Sequence, residues 1–232
     1  MGILLQAATT VLDTTHALAP TAAPSQEISY LDLLFKGGFM MIPLMVFLAL
    51  AIFFIIERLI FISKRASIND ALVRDVLEKL YAGNIQGADA LCLADKSALG
   101  NVLQAGISQL GKPIDHIEKA LDIQSSIELN EMEKRTSYIS MISGIAPRLG
   151  FIGTILGVIR IFYDIASSGG NISIGTITTG LYQKMITSGT GLIVGVIAFM
   201  GFHFILTRID NYSMKLQIKI FEFVKGIQKP VK

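Results

Sequence analysis

The chain has 232 residues, of which 52% are hydrophobic and only 16% are charged. Soluble domains carry about 25% charged residues, so the composition indicates a membrane protein, and the net charge of +2 does not indicate a nucleic-acid partner. One cysteine excludes an internal disulfide, and three scattered histidines without a Cys-x-x-Cys motif give no metal-ligand cluster. We therefore expect no cofactor and no metal.

The N-terminal segment, residues 1–38, contains one basic residue, Lys36, and an apolar start that Asp13 interrupts. It lacks the basic n-region of a secretory signal. We expect a polar tail outside the membrane, and a cleaved signal peptide is the alternative.

Three segments are predicted to cross a membrane. The first has 18 uncharged residues from Phe39 to Ile56, enough for a helix across the hydrocarbon layer. The second is weaker, because only 11 uncharged residues separate Arg148 from Arg160, and such a segment inserts poorly alone. The third has 22 uncharged residues, 185–206.

The distribution of Lys and Arg predicts the topology. Residues 1–38 contain one, residues 64–137 nine, residues 166–175 none and residues 208–232 six. Since basic loops stay in the cytoplasm, the N-terminus is expected outside and the C-terminus inside. The predicted fold is an all-α integral membrane protein with these segments: an external tail (1–38), span one (39–63), a cytoplasmic helical domain (64–138), span two (139–165), an external loop (166–175), span three (176–207) and a cytoplasmic amphipathic helix (208–232).

The cytoplasmic part is predicted to be helical. "SINDALVRDVLEKLY" offers Ser and Asn as N-caps and ends near Gly83. A longer helix after Pro113 is expected to continue directly into span two, with Gly144 and Pro147 ending or bending it. Cys92 is expected to be a core thiol.

The C-terminal segment, 208–232, has apolar residues at steps of three and four, which predicts an amphipathic helix. We expect this helix to pack on the cytoplasmic domain or on another subunit. A helix lying on the membrane surface is the alternative.

Small residues are regularly spaced in two spans. Glycine allows helix backbones to approach closely in lipid, so the pattern predicts tight packing of span two on span three. The glycines expected to carry this packing are Gly150, Gly153, Gly157, Gly191 and Gly195.

Polar side chains follow the same two helices. Thr154 lies in span two, and Gln183, Thr187 and Ser188 lie in span three. Each hydroxyl alone can bond to its own helix. Two polar stripes on two glycine-rich helices nevertheless favour a shared face that lipid does not cover.

Charged residues inside spans are functional candidates. Arg160 and Asp164 are spaced to pair on one helix face, either at a functional site or at the outer membrane interface. Lys184 lies one turn from Ser188 and can extend its ammonium towards water. Together with Arg148 and Glu57, these residues are candidates for a charged vestibule or interface.

Enzyme chemistry is not expected, and no catalytic residue is assigned. Ser188 and His203 lie roughly 22 Å apart along one helix, beyond hydrogen-bond reach, and G-x-S-x-G is absent. A proton path needs titratable groups near the membrane centre, where spans two and three have no Asp or Glu. If the chain moves protons, the carboxylate must come from another polypeptide.

Two sequences carry a family resemblance. "APRLGFIGTILGVIRIF" (146–162) and "GLYQKMITSGTGLIVGVIAF" (180–199) resemble the signature helices of the MotA/TolQ/ExbB proton-channel family. The resemblance covers about residues 30–225, and the three-span topology is similar to the ExbB and TolQ branches.

The resemblance implies a homo-oligomeric, pentameric ring in the bacterial inner membrane, with a periplasmic N-terminus and a cytoplasmic C-terminus. A single-span partner similar to ExbD, bearing a membrane Asp, would occupy the pore, and a TonB-like protein would carry the energy to the outer membrane. The ring hydroxyls near that Asp map to Thr154 and Ser188, with Thr187 beside them.

Gln183 stands where ExbB and TolQ commonly have Glu, so it is expected to hydrogen-bond rather than titrate. Ser188 stands in place of the usual Thr, and Lys184 and Arg160 in place of smaller or neutral residues. The alternatives to an ExbB-like transport role are a TolQ-like role in envelope integrity and a structural membrane scaffold.

Overall fold

The computed structural model describes residues 38–169 and 173–228. Residues 1–37, which hold the predicted external tail and its alternative, a signal peptide, lie outside this range. So do residues 170–172 of the predicted loop and the last four residues of the chain.

The described residues form helices and no β-strand. Three helical stretches, one each in the first, sixth and seventh helices, are long and apolar enough to cross a membrane. The predicted all-α membrane fold is therefore confirmed at this level. The helices are α1 (Met41–Arg65), α2 (Asp70–Tyr81), α3 (Ile85–Asp95), α4 (Ala98–Ile107), α5 (Ile114–Glu133), α6 (Thr136–Ser167) and α7 (Ile174–Ile227).

The two helices α6 and α7 form an antiparallel pair, and α1 packs against both. α1 touches α6 near Met40 and Gly153, and touches α7 where the Ile55 side chain fills the space beside Gly201. The opposite face of α1 carries exposed apolar side chains such as Phe53 and Ile56. Such a face suits contact with lipid.

The start and the end of α2 agree with the capping residues predicted from the sequence. The Asn69 side chain accepts a hydrogen bond of 3.1 Å from the backbone N–H of Ala71, which satisfies one of the unpaired donors at the helix start. Gly83 follows the helix with φ +73°, a left-handed conformation that glycine adopts without strain.

The expectation that the helix after Pro113 runs unbroken into span two is wrong. α5 ends at Glu133 and α6 begins at Thr136, because Arg135 adopts a left-handed φ of 69°. No glycine or proline marks this break. Instead, two hydrogen bonds to α1 stabilise the break. Arg135 Nη1 donates to Glu57 Oε1 at 2.6 Å, and Arg58 Nη1 donates to the Glu131 carbonyl at 3.2 Å.

Gly144 and Pro147 do not end α6, which continues through both of them. Proline inside a helix leaves the carbonyl four residues earlier without its usual donor, here that of Ser143. This carbonyl faces α7 beside Gly195. The α7 backbone therefore covers the irregular turn, which explains why the helix can pass through it.

The helices α2–α5 and the C-terminal half of α7 share one core. Leu216 and Phe223 of α7 are fully buried, and the Tyr81 hydroxyl of α2 donates to the Gly226 carbonyl at 2.8 Å. The C-terminal segment thus packs on the helical domain of its own chain. It also continues span three without a break, since α7 is one helix of 54 residues.

A buried carboxylate ties the helical domain to the end of α1. Glu128 of α5 is only 3% exposed, and it accepts from Arg65 Nε at 3.1 Å and Nη2 at 3.3 Å. Asn101 and Gln124 also donate to it, at 2.8 Å and 3.3 Å. Four donors compensate the loss of water around this charge.

We expect Arg65→Ala to lower the free energy of unfolding by about 3 kcal/mol, because it leaves the buried Glu128 carboxylate without a neutralising charge. Urea unfolding in detergent micelles measures this. Arg74→Ala is the matched control: Arg74 is 76% exposed and lies 3.7 Å from Asp75, so the change should stay within about 0.5 kcal/mol. Equal effects of the two substitutions would contradict the assignment.

Burial, together with the nearby carboxylates of Asp89 and Asp95, raises the pKa of the Cys92 thiol from 9.0 to about 12. Folding therefore favours the neutral thiol. The resulting contribution to the free energy of unfolding is complete below pH 9 and is lost as the pH rises towards 12.

Since only the thiolate reacts, Cys92 in the folded chain should react with Ellman's reagent on the order of a thousandfold more slowly than in SDS-unfolded chain. The chain has one cysteine, so the absorbance reports this residue alone. Similar rates in the two states would show that the thiol is accessible and its pKa normal.

Candidate functional site

The contact between α6 and α7 is centred on two glycines. Gly150 and Gly191 are both buried, and a Cβ atom on Gly191 would lie 2.8 Å from the Ala146 carbonyl oxygen and 2.9 Å from the Gly150 Cα. No side chain fits between these backbones. The two helices therefore touch main chain to main chain, as close helix packing in lipid requires.

Larger side chains fill the spaces beside the neighbouring glycines. The Pro147 ring lies over Gly195, and the Thr187 methyl group lies over Gly153, 3.2 Å from where a Cβ would be. All five glycines that the sequence assigns to packing lie in this contact. The Ala146 carbonyl and the Pro147 ring supply the surface that faces Gly191 and Gly195.

Lys184 also belongs to the contact. Its Cγ, Cδ and Cε atoms lie across Gly157, in the space that a Cβ would occupy. The aliphatic part of the Lys184 side chain thus packs on α6, and the ammonium group at its end extends beyond Gly157. Lysine commonly buries its aliphatic part in this way and leaves its charge at the surface. The lysine has a packing role that its charge alone does not reveal.

Thr154 and Ser188 lie at the rim of the contact. Both are half-buried. The Thr154 hydroxyl donates to the Phe151 carbonyl of its own helix at 2.6 Å, which leaves its oxygen lone pairs to accept a further bond. The Ser188 backbone touches Gly150. Each of these side chains is thus partly exposed beside the close approach of the two helices.

Thr187 and Gln183 face elsewhere. Thr187 is 1% exposed, and its hydroxyl donates to the Gln183 carbonyl at 3.2 Å. The side-chain amide nitrogen of Gln183 lies against Gly38, 3.0 Å from where a Cβ would be. These two residues sit between α7, α6 and the start of α1.

The charged candidates do not form one group. Arg160 Nε lies 3.3 Å from Asp164 Oδ1 with the side chains 77% and 52% exposed; an exposed pair of this kind contributes little to stability. Arg148 is exposed on α6. Glu57 is at the opposite end of the bundle and binds Arg58 and Arg135, as described above.

No nucleophile–base pair involves Ser188 in the part of the chain that the structure describes. The His203 ring instead packs edge-on against Phe199, with 4.2 Å between ring centroids. Among the described residues, no three metal-binding side chains lie close enough to hold a metal ion. What the arrangement offers is a pair of hydroxyls on a rigid helix contact.

We expect Gly191→Ala to destabilise the chain by about 1–3 kcal/mol, because the added methyl group forces the two backbones apart. Thermal unfolding in micelles measures it. Gly189→Ala is the matched control two residues away: no atom of the described residues lies within 4 Å of the added atom, and alanine favours helix over glycine. If Gly191→Ala is as stable as Gly189→Ala, the close contact is not required.

Several known proteins are similar to this chain over most of its length. An ExbB-like biopolymer transport protein of Synechocystis sp. is 27% identical over 192 residues, which cover 82% of this chain and 75% of the relative. Biopolymer transport protein exbB1 of Vibrio cholerae is 26% identical over 186 residues, 78% of this chain and 80% of that protein. Tol-Pal system protein TolQ of Haemophilus influenzae is 20% identical over 214 residues, 85% and 92% of the two chains.

The sequence profile of the MotA/TolQ/ExbB proton channel family matches residues 94–218. The matched range is more than half of the chain, and it contains the glycine contact and both rim hydroxyls. The chain therefore belongs to the MotA/TolQ/ExbB proton channel family.

Proposed function

We propose that the chain is the ring-forming subunit of an ExbB-type motor in the bacterial inner membrane, which uses proton flow to drive transport across the outer membrane. The observation that carries this proposal is the position of Thr154 and Ser188. Both hydroxyls are partly open at the rim of a helix contact that is otherwise closed by backbone packing.

The rim hydroxyls suit a carboxyl group that changes its protonation state. Thr154 already donates within its helix, so its oxygen can accept from a protonated carboxyl group. Ser188 donates to no acceptor within residues 38–169 and 173–228, so its hydroxyl can donate to a carboxylate. The Thr154 hydroxyl therefore stabilises the protonated carboxyl group and the Ser188 hydroxyl stabilises the carboxylate. This pairing lowers the free-energy cost of transferring the proton.

The carboxylate itself must come from a partner. On α6 and α7, the acidic residue nearest the glycine contact is Asp164, which is exposed and paired with Arg160. A single-span partner of the ExbD type, with an aspartate at the depth of Thr154 and Ser188, would complete the site. A TonB-like protein would then pass the energy on.

The distribution of basic residues supports the orientation within this proposal. The positive-inside rule puts the helical domain, with α2–α5 and the end of α7, in the cytoplasm and the N-terminus in the periplasm. Several copies would surround the partner, with the Thr154–Ser188 rim facing it and the exposed apolar face of α1 facing lipid. A pentamer is the number that family resemblance implies.

Thr154→Val and Ser188→Ala should each reduce proton flux through the assembled complex on the order of a hundredfold, as the loss of a positioned proton-transfer group does. A pH-sensitive dye in vesicles containing the chain and its partner reports the flux. Thr207→Val is the control, since the Thr207 hydroxyl only bonds to His203 of its own helix at 2.9 Å.

Co-purification with the partner must be unchanged in both variants for the result to count as loss of function rather than loss of assembly. Normal flux in both would remove Thr154 and Ser188 from the proton path. A chain that purifies as a stable monomer without partner would instead favour a structural scaffold.

A TolQ-like role in envelope integrity is the second candidate, and the TolQ relative favours it because it aligns over 85% of this chain. Expression in bacteria that lack their own ExbB and TolQ separates the two. Restored uptake through outer-membrane receptors supports the ExbB-type role, whereas restored resistance to detergent supports the TolQ-type role.

A further inference from the structure

A polar cavity of about 410 Å³ lies between the end of α1 and the middle of α7. Ser63, Ala66 and Ile68 line one side, and Arg208, Asn211 and Lys215 line the other. The volume is within the range of small-ligand sites. The buried side chains of Ile62 and Tyr212 form its floor, and no residue of the proposed proton path lines it.

The charge of the cavity is positive. Arg208 and Lys215 are exposed and form no ion pair within the described part of the chain, while no carboxylate lines the cavity. The nearest acidic group on α2, Asp70, is already bound to Lys219 at 3.1 Å. Ser63 and Asn211 add neutral donors. This donor set fits a phosphate group.

The position of the cavity indicates what carries that phosphate. Just before it, α1 and α7 present exposed apolar side chains, Ile60 at 53% and Phe204 at 52%. The Arg208 guanidinium lies over the Phe204 ring, 5.1 Å from its centroid. An apolar surface thus leads directly into a cationic cavity at the end of two membrane helices, as a phospholipid requires.

The dipole of α1 explains why some basic residues lie near the end of this helix, without any bound ligand. The C-terminal carbonyls of α1 are partly negative, and cations near them are favourable without any ligand. Lys64 and Arg65 already occupy the last turn of α1. Arg208 and Lys215 add two formal charges from a different helix, and the cavity keeps space open in front of them.

We propose that this cavity binds the headgroup phosphate of an anionic phospholipid such as phosphatidylglycerol, with Arg208 and Lys215 as the cationic contacts. Placing that lipid in the cytoplasmic leaflet rests on the orientation given under the proposed function. The binding itself does not depend on proton transport, so the two are tested separately.

The test uses the full chain in phosphatidylcholine vesicles with small amounts of spin-labelled phosphatidylglycerol or phosphatidylcholine. Electron spin resonance measures the preference of the protein for the anionic lipid. Replacing Arg208 and Lys215 together by Gln should reduce this preference about tenfold or more, since each basic residue near the surface contributes several-fold. The double substitution Lys112→Gln and Lys119→Gln removes the same charge away from the cavity and should retain the preference.

Ala66→Leu provides an independent variant, because it narrows the cavity and keeps every charge; it should also reduce the preference. Equal preference in the wild type and in the Arg208–Lys215 variant would overturn the proposal, and so would an equal loss in the control pair. Soluble glycerol phosphate that binds the detergent-solubilised chain as tightly as the lipid would assign the cavity to a free phosphate and would likewise overturn it.

Discussion

The backbone contact between Gly150 and Gly191 determines the arrangement of the membrane helices. In lipid, an apolar helix gains no hydrophobic free energy by exchanging contacts with lipid for contacts with another helix. Close packing between the helices must therefore supply the attraction. Two residues without side chains allow this packing, and the neighbouring glycines receive Pro147, Thr187 and the Lys184 chain. Thr154 and Ser188 take their places at the rim as a result. The two hydroxyls of the proposed site thus lie beside a backbone contact that leaves little room for movement.

Charged residues serve a different purpose at the other end of the bundle. Glu57 binds Arg58 and Arg135, and Glu128 binds Arg65, so α1 is attached both to the break before α6 and to the helical domain. The α1 helix therefore carries most of the ionic contacts between the membrane part and the rest of the chain. Its outer face stays apolar, which separates its anchoring role from its contact with lipid.

Sequence patterns alone predict the three spans, the glycine contact and the capped start of α2, because each of these depends on local spacing or on local hydrogen bonds. The break at Arg135 was not foreseeable, since it depends on an ion pair with a residue 78 positions earlier. Helical spacing also placed Thr187 with Ser188. Only the packed structure separates them, because a single residue step turns the side chain from the rim into the space beside Gly153. Lys184 likewise needed its partner glycine on another helix before its place could be understood.

The unbroken length of α7 has a mechanical consequence. A helix of 54 residues spans roughly 80 Å, and its continuous hydrogen bonds leave no joint at which the membrane half can swivel independently of the half buried in the helical domain. In the proposed motor, torque applied near Ser188 would reach Phe223 as torsion of this single helix. If the chain turns in this way, the helical domain would move with the membrane helix, and its contacts with surrounding molecules would set how far the helix twists before the whole chain turns.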